Sequence, residues 1–394
     1  MKLYRLLLLP FAFAIVGAAR FLAPWKLIRF GESLNFRLGH LIGNNECYLC
    51  ECDAGIQPKA LDFWIPIGGT KVANKVIYRK YKKHLHTLPM TLGRLVLIVN
   101  HMFQGWEKHI VSPANWDRDI HNLWGKPHIG FTTREEKKGL KLLRSLGLPP
   151  GAKWVCLFVR DSAYMAKTFP GGDFSYHDYR DSDISDCAHA AFELTKRGYY
   201  VIRMGAVILK PFHIKHSKII DLPMTRENTD FATLYLGAKC AFALGSHAGF
   251  MSIPQVFNRP IGIINYVPVE YTPTFANGLF IWKYHMKDGK EMPFQEIINT
   301  GAGLCLHGKI FEASGIKLDD NTSFEIYQLA MEMADIAEGN YTPDEQKKFW
   351  AMFPRNNVPN TSQPLHGKIT IRVGREFLKS KSLLSPVPEP ITAS

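Results

Sequence analysis

The apolar run at the N-terminus, Leu6 to Ala19, stops at 14 residues and is interrupted by Pro10 and Gly17. That is short of the ~20 residues a membrane-spanning helix needs. Acidic residues are scarce in the first half. Residues 1–150 hold 10 Asp+Glu against 22 Lys+Arg, and the remainder holds 25 against 26, so almost all of the net charge of +13 lies before residue 151. No zinc-finger spacing, aromatic RNA-binding signature or helix-turn-helix accompanies this charge. The expected partner is therefore an anionic membrane surface, and no nucleic acid. There is no low-complexity tract and no short-period repeat. Cysteine is sparse and odd in number: the seven are Cys47, Cys50, Cys52, Cys156, Cys187, Cys240 and Cys305. Most lie in apolar runs, which argues against a disulfide framework and for reduced core thiols in a cytosolic protein. Cys47-x-x-Cys50-x-Cys52 has zinc-like spacing, but no second ligand pair follows and Cys47-Tyr48-Leu49-Cys50 looks like a strand. Packing is the better reading, and no metal is expected.

What is present is a globular chain of 394 residues, 46% hydrophobic and 21% charged, long enough for two domains. Lys2 and Arg5 precede the N-terminal apolar run, and Arg20, Lys26 and Arg29 follow it. The pattern predicts a membrane-surface anchor over residues 1–29. A signal peptide competes, because Gly17-Ala18-Ala19 resembles a cleavage site. Residues 60–67 and 94–100 read as strands, 72–84 as a basic helix and 134–146 as an amphipathic helix. Leu148-Pro149-Pro150-Gly151 breaks the chain and marks the expected domain boundary. Residues 30–150 and 151–350 then form two domains, and 351–394, rich in Pro and Ser, a loosely ordered extension.

The most informative stretch is Trp154 to Gly205. Apolar runs at 154–159 and 198–205 flank a segment with helical spacing at Ile184, Cys187, Ala191 and Leu194. Strand, helix, strand is a βαβ unit, which binds ligands beyond the carboxyl ends of its strands. Arg160 and Arg203 sit near those ends and Arg180 precedes the helix, so three guanidiniums are expected to converge on a phosphorylated ligand. Further on, strand Cys240 to Leu244 runs into Gly245-Ser246-His247-Ala248-Gly249 and a short helix. A glycine turn opening a helix directs backbone N–H groups at an anion. Asp181-Ser182-Asp183 offers a metal-binding pair, but Asp183 capping the following helix is the better reading. Asn321 to Glu325 opens another helix.

Several motifs together resemble a bacterial family of glycosyltransferases found with surface-polysaccharide genes. They are Arg37-Leu-Gly39-His40-Leu with Asn45-Glu46-x-Tyr48-Leu49; Val159-Arg160-Asp161-Ser162-x-Tyr164; Arg180-x-Ser182-Asp183-Ile184; Gly198-Tyr-Tyr-Val-Ile-Arg203-Met-Gly205; Gly245-Ser246-x-x-Gly249; and Asn321-Thr-x-x-Glu325-Ile326. His247 departs from the pattern, where a small or polar residue is expected. The resemblance implies an α/β fold of GT-B type, two Rossmann-like domains facing across a cleft. The acceptor would lie on the N-terminal domain and a nucleotide-sugar donor on the C-terminal one. The expected donor residues are Arg160, Ser162, Tyr164, Arg180, Asp183, Arg203, Gly205, Gly245, Ser246, His247 and Gly249. Gly39, His40 and Asn45 are expected beside the acceptor, a glycan or lipid-linked glycan. An inverting transfer needs a general base. His40 is the first candidate, with Glu46 and Asp161 next. The nucleotide sugar is substrate, so no cofactor is expected. The implied location is cytoplasmic, peripheral on the inner face of the cell membrane. A nucleotide-sugar epimerase on the same frame and a non-catalytic binding protein for polysaccharide assembly are the alternatives.

Overall fold

The computed structural model describes residues 3–68, 71–111, 126–273, 277–357 and 365–384. The chain separates into two compact units that part between Phe131 and Thr132.

The first unit opens with helix α1 (Leu3–Leu22) and strand β1 (Leu27–Leu34). A π-helical turn, His40–Asn44, runs directly into α2 (Asn45–Asp53). Strand β2 (Ala60–Ile67), helix α3 (Lys75–Tyr81), strand β3 (His86–Thr87) and helix α4 (Met90–His101) follow. The three strands form a parallel sheet in the order β1-β2-β3. Ala12, Val16 and Ala19 of α1 are buried against Phe30, Ile65, Val96 and Val99. The segment 1–29 is therefore no separate appendage: α1 is part of this unit's core, and a boundary at residue 29 would cut β1.

The strand expected over 94–100 is a helix. A short apolar run such as Leu-Val-Leu-Ile-Val does not reveal its period. Pro89 starts the helix, and Gly93, Val96 and Val99 turn inward while Ile98 stays exposed. Gly93 lets α4 lie close on the sheet, since a Cβ there would meet Ile65 Cγ1 at 2.5 Å. The strand expected at Cys47–Cys50 is likewise helical, and every residue from Asn45 to Glu51 is buried.

The second unit begins with α5 (Thr133–Ser145), opened by a Thr132/Glu135 capping box. The boundary therefore falls before this helix rather than at 148–151. The reason is packing: a Cβ on Gly139 would stand 2.0 Å from the Tyr235 ring, and Glu136 pairs with Lys239 at 2.7 Å. Next come β4 (Trp154–Phe158), α6 (Ala163–Thr168), α7 (Ala188–Lys196), β5 (Tyr200–Arg203) and β6 (Ile219–Asp221). They are followed by α8 (Asp230–Lys239), β7 (Phe242–Ser246), α9 (Ser252–Val256), β8 (Ile261–Tyr266) and β9 (Gly278–Trp282). The βαβ unit read from the sequence is present. A small antiparallel sheet, Tyr284–Lys287, Lys290–Glu291 and Ile316–Asp319, lies outside the sequence expectations. Helix α10 (Ser323–Glu338) buries Ile326, Leu329, Ala330 and Met333. Met333 sits over Gly262 of β8, where a Cβ would come within 2.8 Å of its Cγ.

The extension is ordered where it is described. Strand β10 (Arg372–Val373) pairs with β9, and helix α11 (Arg375–Ser380) buries Phe377 and Leu378. The main sheet thus has seven strands in the order β10-β9-β8-β7-β4-β5-β6, all parallel.

Candidate functional site

Strand order runs outward from β4 to β5 and β6 on one side, and from β7 to β8 and β9 on the other. The order reverses between β4 and β7, and open parallel sheets bind ligands beyond the carboxyl ends of their strands at such a point. Gly245 sits inside β7 at φ +151°, and a Cβ there would lie 1.6 Å from Phe158 O. Without a Cβ, Gly245 permits this close strand pairing, and the bend at 247–248 follows it. Gly249 opens a three-residue 3₁₀ turn whose Phe250 and Met251 are buried.

Beyond Gly245 the two strand ends are joined. The Arg160 N–H donates to Ser246 Oγ at 2.6 Å, and Arg180 Nη2 donates to the His247 carbonyl at 2.7 Å. The segment 180–183 crosses the ends of four strands. The Ser182 N–H bonds Arg160 O at 3.1 Å, Asn265 Nδ2 bonds Ser182 Oγ at 3.1 Å, and Lys283 Nζ bonds Asp181 O at 2.7 Å. Asp181 also forms an ion pair with the Arg160 guanidinium. Burial and the nearby Arg180 charge push Arg160 down to about 10, so it remains a cation at neutral pH. The same two causes push His247 down to about 3 and keep its ring neutral. Two guanidiniums close enough to repel each other, one largely buried, are suited to an anion with more than one charged oxygen.

Arg203 does not join them. It is 1% exposed, closes β5 beside Leu157 of β4 in register, and pairs with Asp221 at 3.1 Å. The strand-end ion pair is its role, and the three-arginine expectation reduces to two. Asp161 accepts from Ala163 N at 3.0 Å and Leu209 N at 2.9 Å, one bond on each oxygen, which ties the start of α6 to the loop at Leu209. Asp183 caps its helix through Ser185 N at 2.8 Å and pairs with Lys210. Gly205, at φ +156°, stands two residues past β5, in the loop that carries Leu209 and Lys210. Ser162 precedes α6 without a side-chain cap, and Tyr164 is half-buried in its first turn. Asp181, Ser182, Asn265 and Lys283 were not singled out as donor residues. Asp181 and Ser182 stand within a motif that was, whereas Lys283 and Asn265 join the group only through sheet order.

In the first unit Gly39 is right-handed helical (φ −60°, ψ −45°). His40 follows in the π-turn, half-buried, with Nδ1 3.3 Å from Asn44 Nδ2. Burial and the Arg37 charge hold His40 below its ordinary range against a smaller opposing effect of Asn44. Asn45 Nδ2 bonds Leu41 O at 2.8 Å and braces the π-turn. Glu46 is 1% exposed. Its Oε2 accepts from Tyr81 Oη at 2.7 Å, and its Oε1 accepts from His128 N and faces His128 Nδ1, both at 3.0 Å. That corrects the expectation of Glu46 as an accessible base. His128 carries no local sequence signal and reaches Glu46 from 82 residues away. Donor atoms of Glu46, Cys50 and His128 lie within 4.8 Å of one another.

No protein-family model and no curated protein matches the chain. Among solved structures, Escherichia coli ADP-heptose LPS heptosyltransferase II is 12% identical over 66% of this chain and 92% of its own, with a TM-score of 0.41. A glycosyl transferase family 9 protein from Veillonella parvula is 10% identical over 78% of this chain and 97% of its own, with a TM-score of 0.44.

Proposed function

We propose that the protein is a GT-B-type glycosyltransferase. In this reading it moves a sugar from a nucleotide sugar to a glycan or lipid-linked acceptor in surface-polysaccharide synthesis, on the cytosolic side of an anionic membrane. The observation that carries the reading is the meeting of Arg160 and Arg180 at the β4/β7 switch point. The donor diphosphate takes the place of Asp181 on Arg160 and engages Arg180. These cations stabilise the charge that develops on the nucleoside diphosphate as the anomeric C–O bond breaks. The acceptor oxygen forms the new bond to the anomeric carbon, and His40 takes its proton. The lowered proton affinity of His40 keeps it neutral and ready at pH 7. Asn44 Nδ2 faces His40 Nδ1 at 3.3 Å, so a base at Nε2 requires the Asn44 amide to flip and present Oδ1 to Nδ1–H.

Support for the membrane comes from α1. Its inner face is core, while Leu6, Leu7, Phe11, Phe13, Phe21 and Leu22 are exposed and Trp25 follows just beyond. No helix among the described residues is long and apolar enough to cross a membrane. An apolar face on a basic unit gives two additive attractions to an anionic bilayer surface.

The test is a thermal-shift panel of nucleotide sugars and nucleoside diphosphates on purified protein, followed by transfer assays with the donor it selects. A stabilising nucleotide sugar that is consumed only with an acceptor supports the reading. A panel in which none stabilises overturns it.

A further inference from the structure

We infer that Glu46, Cys50 and His128 form a zinc-binding site, which clips the chain at His128 onto α2. The inference does not rest on the glycosyltransferase reading. Glu46 and Cys50 stand at i and i+4 on α2, so their side chains share one helix face. That face is buried, with Glu46 1% and Cys50 3% exposed. His128 is delivered to it from outside the helix, and the three donor atoms lie within 4.8 Å of one another. Ligands on a tetrahedral zinc stand roughly 3.3–3.8 Å apart, so small side-chain rotations close the set.

A second observation points the same way. Metal-bound histidines usually donate their other ring nitrogen to a carboxylate, which fixes the tautomer. Here His128 Nδ1 faces Glu46 Oε1 at 3.0 Å, while Nε2 lies 3.0 Å from Asp53 Oδ2. Asp53 is thus the outer carboxylate, and Nδ1 is left for the metal. Tyr81 Oη and the His128 N–H orient the Glu46 carboxylate from behind. Among the described residues no lysine or arginine pairs with Glu46, although the first half of the chain is strongly basic.

The charges balance. The Glu46 carboxylate and a Cys50 thiolate neutralise a divalent cation, and His128 contributes a neutral nitrogen. On binding, the Cys50 thiol gives up its proton to solvent and stays as the thiolate ligand, so affinity rises with pH. A mixed sulfur, nitrogen and oxygen set with imidazole suits zinc rather than magnesium or calcium. Water completes the fourth position. The Cys47/Cys50/Cys52 spacing misleads because only Cys50 belongs to the set; the partners are an acid on the same helix and a distant histidine.

The experiment uses the full chain, stripped with chelator and reloaded with zinc or cobalt. One metal per chain is expected, with a thiolate-to-cobalt charge-transfer band. Cys50→Ser should remove that band, and Cys50→Ser and His128→Gln should each weaken zinc binding about 10–100-fold or more. Cys52→Ser, at an exposed thiol, should change neither. Zinc should raise the melting temperature of the wild type and of Cys52→Ser, and raise that of Cys50→Ser and His128→Gln far less. Absence of the band in the wild-type cobalt protein overturns the site, whether or not any variant folds. Zinc bound as tightly by Cys50→Ser as by the wild type overturns it as well.

Discussion

Ser246 Oγ accepts the backbone N–H of Arg160 at 2.6 Å. This bond ties the last residue of β7 to the second residue past β4 and sets the base from which the Arg160 side chain extends. Because Ser246 is 2% exposed, Ser246→Ala leaves a buried N–H without its acceptor. The expected cost is about 1–3 kcal/mol of folding stability, read by chemical denaturation. Donor affinity should weaken with it.

The two switch-point arginines should behave differently from Arg203. Arg160→Ala and Arg180→Ala each remove a charge-assisted contact worth about 1.5–3 kcal/mol. Affinity for a nucleoside diphosphate, measured by calorimetry, should fall about tenfold or more, with the melting temperature little changed. Arg203→Ala deletes a buried cation and leaves the partly buried Asp221 without its charge partner, though still bonded to Phe212 N, at a cost of about 3–5 kcal/mol in stability. If Arg203→Ala instead lost nucleotide affinity while folding normally, the three-arginine site would be restored.

His40→Ala should lower turnover by about two to four orders of magnitude and leave donor affinity unchanged. The base works unprotonated, and burial and Arg37 hold its proton affinity below the ordinary 6.5. The acid limb of the pH–rate profile should therefore lie below pH 6.5. Arg37→Gln removes one of the two causes and should move that limb upward. Loss of donor binding in His40→Ala would assign His40 to a different pocket.

The outer face of α1 can be tested apart from its inner face. Phe11→Asp with Phe21→Asp alters residues 62% and 73% exposed, so folding should be unaffected. Each apolar side chain withheld from a bilayer is worth about 1.5–3 kcal/mol, so co-sedimentation with anionic vesicles should fall steeply. Retained sedimentation in the double variant would remove α1 from the membrane contact. Deleting α1 is a poor test, because Ala12, Val16 and Ala19 are core.

Acid should destabilise the second unit. His285 is fully buried, and burial pushes it from 6.5 down to about 4. The unfolded chain therefore gains this proton first, and stability falls as the pH drops from about 6.5 toward 4. His366, also pushed down to about 4 by burial, acts in the same direction. Denaturation midpoints across that window check the slope, which His285→Gln should flatten. An unchanged slope would mean that His285 keeps its ordinary proton affinity when folded.

The sequence by itself determined the parts of this protein whose causes are local. Apolar runs ending in polar residues marked β4, β5 and β7, 3.6-residue spacing marked α7, and cap residues marked α10. Charge asymmetry and the N-terminal apolar run were legible because they are composition. The tertiary structure decided whatever depends on neighbours. Leu95 to Val99 became helix because Gly93 lets α4 settle on Ile65, which a short apolar run cannot announce. Arg203 became an internal ion pair because β6 brings Asp221 beside it. Gly245 proved to be a strand-pairing residue because Phe158 O occupies the space of a Cβ. Asp181, Asn265 and Lys283 gathered at Arg160 only once strand order was set. Glu46 met His128 across 82 residues, and no pattern along the chain encodes a contact made by folding alone.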